Sequence, residues 1–191
     1  MFFGCISYDG PVCFVQVDGN INAERYQEII QSEVITFFDQ ESRRERGYIF
    51  QQDGASCHTA KTTKKFFHLF NIKVLDWPSK SPDLNVIERV WAAMRNRIKY
   101  EPLMSVADIE KRVPELWKEI VTPEFCRSLY ESIPNLVSRC QENHGYRVRT
   151  SQKSGKAKDG IPKEFPADLK DMITWVPLSK FLAMRAASTV M

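Results

Sequence analysis

No segment of these 191 residues approaches the roughly 18 uninterrupted apolar residues of a membrane-spanning helix. The stretch from Met1 to Tyr8 has neither a basic start nor a long apolar run, so no signal peptide is read there. Cysteine is sparse: there are five, an odd number, with no repeated C-x-x-C spacing. That argues against a secreted disulfide framework and for a reducing compartment. Cys57-His58 is not by itself a zinc spacing, Cys5 and Cys13 read as small buried apolar residues, and no zinc is expected. Internal repeats are absent. A basic excess is also missing where it would matter most. Residues 1–148 carry 19 Lys and Arg against 20 Asp and Glu, whereas residues 149–191 carry 8 against 4. The net charge of +3 therefore comes from the tail. Any case for nucleic acid must rest on local patches and on a site, not on overall charge.

What is present suffices for a packed core. Hydrophobic residues make up 43% of the chain and aromatic residues 12%, which speaks against wholesale disorder, and the length suits one domain with an added segment. Phe2 to Ser7 and Val12 to Val17 read as strands joined at Asp9-Gly10, a hairpin signal. Asn22 reads as the N-cap of a helix that turns Tyr26, Ile29, Ile30, Val34, Phe37 and Phe38 inward at a 3.6-residue period. Tyr48 to Gln52 is a short strand, Thr59 to Phe70 a helix and Ile72 to Asp76 another strand, ended by Trp77-Pro78. Asp83 is expected to cap a helix running to about Lys99, with Ile87, Val90, Trp91, Met94 and Ile98 as its stripe. Ser105 and Thr122-Pro123 open two further helices, which Pro114 and Pro134 are expected to break or kink. The order of elements predicts an α/β fold with added C-terminal helices over residues 1–148. From Arg149 the polar, basic run reads as a linker, and Trp175 to Met191 as a short helix.

Two carboxylates stand out within this frame. Asp53 ends the strand in YIFQQDGASCHTAK (Tyr48 to Lys61), and Glu88 lies early on the helix in WPSKSPDLNVIERVW (Trp77 to Trp91), with 34 residues between them. An acid at a strand end and another at the border of a helix stripe are placed to meet around a hard cation, which takes oxygen ligands. Each acid has a plainer reading, as a turn residue and a solvated helix residue. His58 reads either as a phosphate contact or support for the site, or as a helix-start residue bonded to backbone. Asn85 is near enough to Glu88 to support it, or is simply exposed. Lys61, Lys64 and Lys65, with Arg89, Arg95, Arg97 and Lys99, form basic helix faces that either meet phosphate in a salt-sensitive way or are only solvated.

The two acid frames, at this spacing, resemble the catalytic domain of mariner-superfamily (Tc-type) transposases. The resemblance covers about residues 1–149 and includes the FGCISYDG opening, the INAERYQEII helix and the SIPNLV…HGYRVRT end. It implies an RNase H-like fold and metal-dependent DNA cleavage and strand transfer by an Asp, Asp, Glu triad using Mg²⁺ or Mn²⁺. It further implies transposon-end DNA as partner and no small-molecule substrate, a homodimer and a nuclear location. Asp53 matches the second acid and Glu88 the third. Gly54 stands where the family usually has Asn, and Val86 where it usually has Pro. The resemblance also implies a first acid on a central strand between Phe2–Ser7 and Tyr48–Gln52, which this sequence does not display; Asp9 and Asp18 fall in turns. The chain is thus expected to be an N-terminally truncated catalytic core, inactive alone. It should be marginal in stability unless a partner or the tail fills the slot, with a co-opted, non-catalytic DNA- or protein-binding module as the alternative. The cations Arg149, Lys153, Lys156, Lys158 and Lys163 are read as nuclear targeting or weak DNA affinity.

Overall fold

The computed structural model describes residues 1–39, 48–77, 81–102, 105–143 and 172–177. Strand β1 (Phe2–Ser7) and strand β2 (Gly10–Gln16) form the expected antiparallel hairpin. Gly10 takes φ +141°, a conformation open to glycine and strained for other residues, which lets the chain reverse at Asp9-Gly10. Helix α1 (Ala23–Ile29) is capped by Asn22, whose side chain accepts from the Arg25 N–H at 2.8 Å. It continues as a π-helical stretch (Ile30–Ile35) and a final turn, α2 (Thr36–Phe38). Then come β3 (Ile49–Gln51), α3 (Ser56–Thr59), α4 (Lys61–Leu69) and β4 (Lys73–Val74). Helices α5 (Ile87–Ile98), α6 (Val106–Ile120), α7 (Pro123–Glu131) and α8 (Ile133–Glu142) follow, and β5 (Met172–Pro177) is last.

One five-stranded sheet in the order β2-β1-β5-β3-β4 organises these elements. Alternation along the strands sends side chains to two cores. Phe2 and Ile6 face α5 to α8, joined by Leu75, Val90, Trp91, Leu116 and Tyr130, whereas Phe3, Cys5, Phe50 and Phe67 face α1. On the first face the rings of Trp91 and Trp117 press directly on the β1 backbone at Gly4, where an added Cβ would lie 2.6 Å from Trp91 and 2.8 Å from Trp117. Phe14 of β2 completes that aromatic layer, with its ring centroid 4.5 Å from that of Trp117. The Tyr130 hydroxyl donates to the Ile6 carbonyl at 2.9 Å and ties α7 to β1 beside a register shift at Cys5/Ile6.

Several boundaries differ from expectation, each for a local reason. The Glu88 helix begins at Ile87, not at Asp83, because 3.2–3.3 Å bonds from Leu84 N–H to Ser81 O and from Asn85 N–H to Pro82 O wind residues 81–85 into tight turns first. Pro114 lies inside α6 without ending it. Pro134 sits in the first turn of α8, where its missing N–H costs nothing, and Ser132 alone separates α7 from α8. Trp175–Pro177 belong to a strand, not to a helix. The sequence MITWVP is rich in β-branched and aromatic residues, and Pro177 ends it.

The slot between β1 and β3 is filled by the tail. Strand β5 runs antiparallel to β1 (Phe3 opposite Pro177, Ser7 opposite Ile173) and parallel to β3 (Ile49 opposite Met172, Gln51 opposite Thr174). Buried backbone groups on β1 and β3 thus gain ladder partners that would otherwise cost about 1–3 kcal/mol each to leave unpaired. The remaining tail residues lie outside the described residues. These include the expected linker and the cations Arg149, Lys153, Lys156, Lys158 and Lys163.

Candidate active site

Asp53 lies two residues beyond the C-terminal end of β3. Its carboxylate oxygen Oδ1 accepts the Ala55 N–H at 3.1 Å, closing a local turn, and the His58 Nδ1–H at 2.7 Å. His58 is 1% exposed and Asp53 40%, so the pair has an inner and an outer member. Behind the imidazole stands Tyr26, with ring centroids 4.3 Å apart. The Tyr26 hydroxyl donates to Gln52 Oε1 at 2.6 Å, and Gln52 Nε2 donates to the His58 carbonyl at 3.3 Å. Burial disfavours the charged imidazole, but its bonds to Asp53 and to the Cys57 side chain outweigh that effect and take its pKa up to about 9. Burial, with the nearby Cys57, Cys5 and Asp53, pushes the Tyr26 phenol well above its ordinary range, so it remains a neutral donor.

The outer side of Asp53 borders an open cavity of about 480 Å³. Gln52, His58, Lys64, His68, Asp76 and Trp77 also line it. Asp76 was missed by sequence reasoning, although it repeats the pattern that marked Asp53: an acid closing an apolar strand. Strands β3 and β4 are parallel, with Phe50 opposite Val74, so their C-terminal ends deliver Asp53 and Asp76 to the same cavity.

Glu88 is half-buried in the first turn of α5 and does not line this cavity. Asn85, read as either a support for Glu88 or an exposed residue, is buried, and its Oδ1 accepts the Ile87 N–H at 3.3 Å. It therefore fixes the start of the helix that carries Glu88, whose own N–H bonds the Asn85 carbonyl at 3.1 Å. Ile87 belongs to the apolar cluster that also holds Leu75 and Trp77, two residues of the cavity wall. Lys61, Lys64 and Lys65 are exposed on α4, and of these Lys64 reaches the cavity. Arg89 is exposed and donates to the Ser132 hydroxyl at the α7–α8 junction; Arg95 is half-buried on α5.

Among the described residues no three His, Cys, Asp or Glu side chains are gathered to hold a metal ion. The cavity instead offers hard oxygen donors, the Asp53 and Asp76 carboxylates and the Gln52 amide, beside a lysine. Such a set suits a cation of the Mg²⁺ type, which keeps several waters and leans on one or two carboxylates and substrate phosphates. No described helix is long and apolar enough to cross a membrane.

The fold is of the RNase H-like class. The catalytic domain of Mos1 transposase, solved with Mg, superposes with a TM-score of 0.64 at 21% identity over 74% of this chain and 73% of that one. A pre-cleavage Mos1 transpososome gives a TM-score of 0.66 at 21% identity, over 75% and 44% of the two chains. Residues 1–110 match the family described as DDE superfamily endonuclease, and the chain belongs to that family. It is 35% identical over 107 residues to the Tc3 transposase of Caenorhabditis elegans, covering 54% of this chain and 32% of the relative. To the Tcb1 transposase of Caenorhabditis briggsae it is 26% identical over 149 residues, or 78% and 54%. The chain thus spans from about a third to about half the length of these relatives.

Proposed function

We propose that this chain acts in DNA transposition, as the catalytic-core segment of a DDE-type transposase that cleaves and transfers phosphodiester strands at transposon ends. The observation that carries the reading is Asp53, a strand-end carboxylate facing an open cavity and fixed from behind by a buried His58. Mg²⁺ or Mn²⁺, when bound there, would polarise a phosphodiester oxygen and lower the pKa of a bound water. Asp53 would be its principal holder, Asp76 shares the cavity with it, and Glu88 would be the further acid that the family pattern supplies from α5.

The chain's own groups do the rest. His58 aims the Asp53 carboxylate, the Tyr26 ring packs against the imidazole, and Gln52 links the Tyr26 hydroxyl to the His58 carbonyl. Asn85 sets the position of Glu88 through the helix start. Lys64 at the cavity rim, with Lys61, Lys65, Arg89 and Arg95, supplies positive charge for DNA phosphates. Solved relatives include a Mos1 paired-end complex, which supports transposon-end DNA and a second copy of the chain as partners. A nuclear location belongs to the same reading, and deletion of residues 149–191 without change of location would remove the tail from it. Because β5, the parallel neighbour of β3 on its β1 side, carries no acid in MITWVP, strand transfer on this reading would need a further acid from outside that strand.

Manganese titration tests the metal assignment. Asp53→Ala is expected to weaken Mn²⁺ binding about tenfold or more, and Glu88→Ala to weaken it less. Wild-type affinity in Glu88→Ala would separate the two acids. DNA nicking that proceeds unchanged in Asp53→Ala would remove Asp53 from the chemistry altogether.

A further inference from the structure

The central strand of the sheet comes from the far end of the chain, with 29 residues between it and the last residue of α8. Strands β1 and β3 do not pair with each other; β5 separates them and pairs with both. Without it, β3 would keep only the two-residue pairing with β4, and β1 only its hairpin partner β2. Two halves of a sheet would then face an open gap. The gap has a fixed polarity, because an occupant must run parallel to β3 and antiparallel to β1.

We propose that this gap is a strand-binding slot and that residues 172–177 are its ligand in cis, an exchangeable donor strand whose sequence decides what stands beside Asp53. The ligand class is an extended six-residue segment, held by main-chain bonds on both edges in the manner of β-strand addition. MITWVP suits that role: it is uncharged and β-prone, and Pro177 closes it without an N–H to place. The pairing of Gln51 with Thr174, carried two positions further, sets Val176 opposite Asp53. The same residue lies opposite Gly4 on β1. An apolar residue therefore holds the register position from which a neighbouring parallel strand would bring another carboxylate towards Asp53. The donor strand completes the fold while leaving the acid site short of a ligand, and this second consequence rests on the metal reading above.

A protease site inserted between residues 150 and 165 of the full chain tests the slot. After cleavage the C-terminal piece is expected to remain bound through gel filtration and to exchange with a labelled peptide of residues 165–182. The same peptide carrying Ile173→Pro and Trp175→Pro should not exchange. In the uncut chain that double substitution is expected to speed amide exchange in β1 and β3 about a hundredfold or more. Immediate release of the C-terminal piece with unchanged protection of β1 and β3 would overturn the proposal. A dimer in which the strand fills its partner's slot would overturn the assignment in cis. Val176→Asp separates the slot from the metal reading. About tenfold tighter Mn²⁺ binding with the fold intact is expected. Unchanged affinity would overturn the register argument even if the strand exchanges as described.

Discussion

The two halves of the sheet are built in opposite ways. The β1–β2 half is local: a tight turn sets its register, its strands are six and seven residues long, and it lies under the aromatic layer of Phe14, Trp91 and Trp117. The β3–β4 half has strands of three and two residues in parallel, which a hairpin cannot join, and its order depends on α3, α4 and β5. The acid cavity belongs to this second half. Robust local structure thus carries the scaffold, while the chemistry sits where pairing is short and long-range. The less self-sufficient half is also where a strand can be exchanged.

The hairpin half is the place for the largest break. Gly4→Val would drive a branched side chain into Trp91 and Trp117, and two indoles wedged between a helix and a sheet have little room to yield. Overpacking of this kind costs about 3 kcal/mol. Denaturant unfolding should show the whole domain losing stability, because the affected aromatic layer joins α5 and α6 to the sheet. A variant of wild-type stability would mean that the two halves are not mechanically joined at Gly4.

A smaller and more selective break is available in the other half. The unfolded His58 imidazole has its ordinary pKa near 6.5, and the folded one about 9. The pair with Asp53 therefore contributes its full stabilisation below about pH 6.5 and loses it as pH rises through 9. Asp53 is partly solvated, so the loss is expected to be about 1–2 kcal/mol rather than the value for a sealed pair. Unfolding measured from pH 6 to pH 10 should show this decline in the wild type and a flatter profile in His58→Ala. Equal slopes in the two proteins would place the proton elsewhere.

Legibility in the sequence follows the same division. The hairpin was readable because Asp9-Gly10 between two apolar runs is a short-range signal, and Asn22, Ser105 and Thr122 announced their helices for the same reason. The frames of Asp53 and Glu88 were readable as motifs. What they do not encode is long-range geometry. Nothing adjacent to His58 announces that Tyr26, 32 residues earlier, will stack on it and bury it. Asp76 went unread because its meaning depends on β4 lying parallel to β3. Strand β5 was misread because a run such as MITWVP takes its conformation from the partners it meets, and those lie more than a hundred residues away. Asp83 attracted the cap assignment because it has the right side chain, but Asn85 is the residue whose oxygen reaches a helix N–H.

The finest test asks whether the two halves can be perturbed separately. Helix α6 starts with a reciprocal box: Ser105 Oγ accepts the Asp108 N–H at 3.1 Å, and the Asp108 carboxylate accepts the Ser105 N–H at 2.8 Å. Ser105→Ala removes the first of these bonds and leaves an exposed N–H that water satisfies, so the expected cost is about 1 kcal/mol. Helix α6 meets the sheet through Trp117 against Phe14, on the hairpin side and away from Asp53. Stability should therefore fall slightly while Mn²⁺ affinity and the pH profile set by His58 stay as in the wild type. A change in either of the latter would mean that strain at one end of the aromatic layer reaches the acid cavity. The path for it would run through β5, which pairs with β1 on one edge and with β3 on the other.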